Sequence, residues 1–241
     1  MRGVWRFIAS VSIVTGSLLI ADVVVTLLWQ EPVSALIAHR EQSRLNGQLK
    51  ALDRLSAADE RALKRTRGDI LARLASREQR RVGTGHALGR IRLPTLHRSY
   101  VVVQGTDSAS LHKGPGHYPA TPLPGEPGTV AVAGHRTTYL APFRNIDQLR
   151  PGDPVVLQMP YGRFTYRVED TRVVEPTALW VTKNVGYPRL VLSACHPLYS
   201  ASHRIVVFAR LTAPIADESR DASRSTSPTS RASDTASTTS Q

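Results

Sequence analysis

Between Ile91 and Leu211 the chain is cut into short apolar runs, and that pattern limits its fold more than any other feature of the 241 residues. The runs are Tyr100 to Gln104, Thr129 to Ala133, Pro154 to Met159, Phe164 to Val174, Leu190 to Ser193 and Ile205 to Leu211. Pro and Gly cluster between them, at 114–128, 151–152 and 160–162, where they end strands and set turns. No long stretch repeats its apolar residues at helical spacing. About 120 residues of this kind make one domain of ordinary size. The reading is all-β, a barrel over 91–212.

Cys195 is the chain's only cysteine, so it has no partner for an internal disulfide. Outside the cytoplasm such a thiol is either an inert core residue or a nucleophile. It ends the apolar run that begins at Leu190. Gly134-His135-Arg136 follows the run Thr129 to Ala133, and Arg204 opens the run Ile205 to Ala209. A histidine after one strand, a cysteine after a second and an arginine opening a third are placed to converge at one end of a sheet.

At these residues the chain resembles the sortases, membrane-anchored cysteine transpeptidases of Gram-positive bacteria. The resemblance takes in Leu93-Pro94, Gly114-Pro115-Gly116-His117-Tyr118, the turn Pro124 to Gly128, Ala133-Gly134-His135-Arg136-Thr137-Thr138, Cys195 and Arg204. Within that family, His135 to Tyr139 with Ala141-Pro142-Phe143, and Cys195-His196-Pro197, look most like class E, common in actinobacteria. It implies a barrel of about eight strands, with His135, Cys195 and Arg204 as catalytic residues. It also implies that Thr138, Tyr139 and Ala194 contact substrate, Tyr139 favouring alanine at the second position of a Leu-Ala-x-Thr-Gly signal. Sortases usually carry Thr-Leu-x-Thr-Cys at the nucleophile. Here Val191-Leu192-Ser193-Ala194-Cys195 lacks both threonine hydroxyls.

The chemistry asks for the same residue types. A thiolate attacks a carbonyl, and a free cysteine is only slightly ionised near neutrality unless a cation such as protonated His135 supports it. The same imidazolium then protonates the departing amine as general acid. Arg204 keeps its charge at all relevant pH and donates hydrogen bonds to the oxyanion. By the resemblance, an amine of a peptidoglycan precursor or a pilin lysine resolves the acyl enzyme, and the donors are surface proteins bearing the sorting signal. The alternative is a weakly active or inactive tethered barrel that binds wall or surface-protein segments. No cofactor is expected and no metal, because His196 and His203 beside Cys195 lack the second cysteine or close histidine pair of a zinc set. Arg136 and Arg210 read as surface charges.

The N-terminus sets the compartment. Phe7 to Trp29 carries one charge, Asp22, and as a helix it would span roughly 35 Å, enough for a bilayer core. Arg2 and Arg6 before it put the N-terminus in the cytoplasm and the rest of the chain outside. Residues 1–30 are therefore expected to be a cytoplasmic stub and single transmembrane anchor in the cell membrane. Val33-Ser34-Ala35 leaves a cleaved signal as the rival, although the apolar stretch is long for one.

Residues 31–90 space leucines at 45, 49, 52, 55, 63, 71 and 74 in a near-helical pattern, with Ser56 and Asp59 as a capping box. They read as a stalk, either a helical hairpin or a semi-flexible spacer. Much of the net charge of +12 lies there. Proximity to the lipid bilayer or anionic wall polymer accounts for it, and no nucleic-acid reader motif accompanies it. Residues 213–241, rich in Ser and Thr, cannot bury enough apolar surface to order themselves and read as a disordered tail.

Overall fold

A computed structural model describes residues 2–28, 32–56 and 67–215. Eight strands close into a barrel in the order β1-β2-β3-β4-β7-β8-β6-β5. They are β1 (Ala87–Leu93), β2 (Arg98–Gln104), β3 (Gly116–His117), β4 (Thr129–Ala133), β5 (Pro154–Met159), β6 (Gly162–Val174), β7 (Arg189–His196) and β8 (His203–Ile215). The pairs β2–β3 and β4–β7 run parallel, and the rest are antiparallel.

Two kinds of strand sequence build it. β5 alternates, with Val155, Leu157 and Met159 buried, as a strand with one wet face should. β4, β7 and the middle of β8 are continuously apolar because both faces are covered. Val130, Val132, Leu190, Leu192, Ile205 and Val207 point into the barrel core, which also holds Ile91, Phe143, Phe164 and Tyr166. Ala131, Val191, Val206 and Phe208 form a second cluster outside the barrel with Val181, which lies on the 3-10 turn Leu179–Thr182 before β7. Thr129 Oγ1 and Arg189 Nη2 donate to carbonyls on this loop, at Lys183 O (2.8 and 3.1 Å) and Val181 O (2.8 Å).

β4 and β5 coincide with the expected runs, and β2, β6, β7 and β8 extend the expected ones. β1 and β3 were not expected. β1 opens at Ala87, inside the stretch assigned to the stalk, and β8 continues to Ile215, past the expected domain end.

Among the described residues, three longer helices precede the barrel: α1 (Arg2–Leu28), α2 (Pro32–Ser56) and α3 (Arg67–Arg81). Within the expected stalk, α2 and α3 both pack on the barrel. α2 sets Leu45 and Leu49 against Ala87, Val101 and Val103. Its buried Gln42 donates to Val101 O (3.0 Å) and Lys113 O (2.7 Å) and accepts from Val101 N (2.7 Å). α3 packs Leu71, Leu74 and Ala75 onto the main core, and its Ser76 donates to Glu126. Ser56 ends α2. Asp59, and with it the expected capping box, lies outside the described residues, as do 216–241 of the expected tail. The expected span Phe7 to Trp29 coincides with α1 as far as Leu28, and Trp29 lies outside the described residues. Among the described residues no helix is long and apolar enough to cross a membrane.

His117 in β3 is buried against Gln104 Oε1 (2.8 Å), Thr121 Oγ1 (3.1 Å) and Pro122 O (3.1 Å). Burial pushes its pKa down from 6.5 to about 4. The folded state therefore resists a proton that the unfolded chain accepts. Its contribution to stability is complete above pH 6.5 and falls away between pH 6.5 and 4, by about 3 kcal/mol. Urea unfolding of wild type and His117→Gln is expected to show the variant losing less stability over that interval; parallel losses would contradict this.

Candidate active site

The site is built where β4, β7 and β8 meet. In β7 and β8, Cys195 and Arg204 lie directly opposite each other in the antiparallel ladder, which puts both side chains on one face with Cβ atoms about 5 Å apart. β4 runs parallel to β7, with Ala133 paired to Ser193 and Gly134 N donating to Ser193 O (3.0 Å). His135 and Cys195 each lie two residues beyond that last pair. The barrel thus brings His135, Cys195 and Arg204 to the same end, as their positions in the sequence imply.

Gly134 is needed at the entry to this loop. A Cβ there would meet the Phe143 ring at 2.5 Å, and Phe143 is itself a fully buried core residue whose N donates to His135 O (3.0 Å). Three consecutive residues, Tyr139, Leu140 and Ala141, then take positive φ of 50°, 66° and 40°. Left-handed backbone at non-glycine residues costs roughly 1–2 kcal/mol each, so the surroundings must hold this turn. Ala141 N donates to Thr138 O (2.8 Å), and Tyr139 N reaches Ser34 Oγ of α2 (3.4 Å).

The Tyr139 ring stacks on His112 at 3.9 Å between centroids and lies 5.2 Å from the His135 ring. His112 caps a short helix, α4 (Ser108–Leu111), and its ring centroid is 6.2 Å from that of His135. His135 is half-buried, and its Nε2 is enclosed with no hydrogen-bond partner. Burial, and secondarily the charge of His112, lower its pKa below 6.5. The expected protonated His135 is thus disfavoured before substrate arrives. The neutral ring is favoured instead, with its Nε2 unpartnered. A His112→Phe variant keeps the stack and removes the charge. NMR titration should find the His135 midpoint raised, yet still below 6.5 because burial is the larger cause. An unmoved midpoint would remove His112 from this account.

Arg204 Nη1 donates to Ala201 O and His203 O (both 2.9 Å). A guanidinium has five N–H donors, so this anchoring holds it on the β7–β8 turn and leaves donors for a carbonyl oxygen. Ala194 is different. Its side chain is packed in the barrel core opposite Ile205, on the far face from Cys195. Ala194 can meet a substrate through its backbone alone.

Arg136 corrects another expectation. It is 3% exposed, buried among Arg144, Asp147 and His196. Arg210 is exposed as expected, paired with Glu169 (2.5 Å) over the Tyr187 ring. The sequence held no signal for His112 or Ser34 at this site.

The closed eight-stranded barrel thus carries Cys195, His135 and Arg204 together at one end of β4, β7 and β8. The family model for the sortase domain matches residues 91–212. Sortase D of Bacillus subtilis (strain 168) is 33% identical over 132 residues, 53% of this chain and 65% of that one. Among solved structures, sortase E from Streptomyces avermitilis has 34% identity and a TM-score of 0.51, over 55% of this chain and 92% of that one. Sortase E1 from Streptomyces coelicolor, solved with a tripeptide in the active site, has 26% identity and a TM-score of 0.52, over 54% and 90%. The chain belongs to the sortase family, whose members are cysteine transpeptidases. It spans less than two thirds of the length of the Bacillus relative.

Proposed function

We propose that this chain is a sortase-type transpeptidase that cleaves a Leu-Ala-x-Thr-Gly-like signal between Thr and Gly and joins the acyl group to an amine. The observation that carries the reading is the register of β4, β7 and β8, which gathers His135, Cys195 and Arg204 at one barrel end.

His135 Nε2 takes the thiol proton, and the Cys195 sulfur attacks the threonine carbonyl to give a tetrahedral oxyanion facing Arg204. The C–N bond breaks as His135 returns its proton to the glycine nitrogen, leaving a thioester on Cys195. An incoming amine repeats the steps in reverse order, its nitrogen replacing sulfur at the carbonyl. The lowered pKa of His135 suits a general base that must also surrender its proton readily to the leaving amine.

Tyr139, held by its stack on His112 beside His135, is the residue that reads the second signal position. The tripeptide held in the active site of the Streptomyces coelicolor relative supports a peptide-binding groove at the same end of the barrel. The acceptor is an amine of a wall precursor or a pilin lysine. Sortases are typically membrane-anchored, and the exposed Ile13, Leu18 and Ile20 of α1 offer an apolar surface for such attachment through residues 1–28. Loss of residues 1–28 should then move the protein from the membrane to the soluble fraction, and an unchanged distribution would argue against the anchor.

The test is to incubate the protein with Leu-Ala-x-Thr-Gly and Leu-Pro-x-Thr-Gly peptides and an amine, following adducts by mass spectrometry. A thioester on Cys195 and a transfer product, favoured with the alanine peptide, are expected. Absence of any adduct with either peptide would refute the reading.

A further inference from the structure

We propose that Arg136 is a positioning residue that ties the His135 loop to the Cys195 strand, an inference that rests on the catalytic reading above. Arg136 directly follows His135, and His196 directly follows Cys195. Arg136 Nη1 lies 3.2 Å from His196 Nδ1. Its Nε and Nη2 donate to Arg144 O (3.1 and 3.0 Å), and Nη2 pairs with Asp147 Oδ1 (3.0 Å).

A cation with 3% exposure is costly unless its donors are matched. Asp147 offsets only part of that cost, because its side chain is 50% exposed and therefore screened. The reaction as written uses no atom of Arg136, so the buried charge calls for another role. Geometry supplies one. The guanidinium is a rigid planar fork, so its partners are fixed relative to one another.

One edge of that fork holds the carbonyl of Arg144, at the far end of the loop that begins at Gly134. The other arm reaches the residue after the nucleophile. Strand alternation puts the His196 side chain on the opposite face of β7 from Cys195, so the contact braces the strand end from behind without touching the thiol.

Arginine only donates, so His196 must accept at Nδ1 and carry its proton on Nε2. The charged and titratable groups about this clamp are Asp147 and Arg144 on the loop, and His203, which pairs with His196 across β7–β8 and lies 3.4 Å from Glu175. A loop and a strand that meet only at their ends need such a tie, since small misplacements of reacting groups carry large rate penalties.

The test compares His196→Leu, which removes the acceptor, with His196→Asn, whose Oδ1 occupies the Nδ1 position, and with Arg136→Lys, which cannot span three partners. Three properties are measured on the full chain: thermal unfolding, kcat and KM in peptide transfer, and the rate of Cys195 alkylation by iodoacetamide against pH. Removal of such a supporting contact is expected to lower kcat by up to roughly 100-fold, with KM changed much less, in His196→Leu and Arg136→Lys.

Their alkylation profiles should shift along the pH axis, while His196→Asn stays near wild type in both readouts. A wild-type alkylation profile and kcat in His196→Leu would overturn the proposal. So would an Asn variant that folds normally yet is as impaired as the Leu variant. Alkylation needs no peptide, so failure of the wild type to turn over any peptide would count against the catalytic reading, while the alkylation comparison would still decide the clamp.

Discussion

Replacing Cys195 by alanine is expected to abolish the thioester and to lower transfer by roughly 10⁴-fold or more, the scale seen when a covalent nucleophile is removed. The substitution costs the fold little. Cys195 is only half-buried at the end of β7, and alanine is tolerated in the ladder there. Circular dichroism and thermal unfolding should therefore match wild type while the peptide-derived mass adduct disappears. Transfer that persists at more than a hundredth of the wild-type rate would mean that the thiol opposite Arg204 is not the nucleophile.

Replacing Arg204 by alanine carries the second large effect. Loss of one oxyanion donor typically lowers kcat by roughly 10²- to 10³-fold. KM should move little, because the guanidinium is anchored on Ala201 O and His203 O and meets the substrate oxygen fully only when that oxygen is charged. Lysine at this position should not restore the rate, since a single ammonium cannot both hold the turn carbonyls and reach the oxyanion. An inactive binding barrel, the alternative reading of this sequence, requires peptide affinity that is indifferent to Arg204 and no turnover to lose. Turnover that falls by orders of magnitude in Arg204→Ala, with peptide binding little changed, would exclude that alternative.

The convergence of His135, Cys195 and Arg204 at one end of the sheet was legible because each flanks or ends an apolar run. β4 and β7 are buried on both faces, so their apolar character owes nothing to distant context. β3 was not legible. It is two residues long and lies among the Pro and Gly residues of 114–128, which read as turn. β1 was hidden by Gly89, Arg90 and Arg92, which break the alternation.

Arg136 misled for a different reason. Charge predicts exposure unless partners are near, and its partners Arg144, Asp147 and His196 lie eight to sixty positions away in the chain. Ala194 misled through parity, since adjacency to Cys195 in sequence means opposition across the sheet. Tyr139, which stacks on His112 beside His135, takes a left-handed backbone for which the local sequence offers no glycine.

The parallel pairing of β4 with β7 also sets when His135, Cys195 and Arg204 can meet. Ala133 and Ser193 are sixty residues apart in sequence and are joined by no hairpin. A contact of that range forms only after the entropy of closing the intervening chain has been met. Cys195 and Arg204 can meet early, through their own hairpin, but His135 joins them only when β4 pairs with β7. A partly folded chain therefore holds Cys195 opposite Arg204 without His135, and on the proposed reading the site is complete only once the barrel has closed.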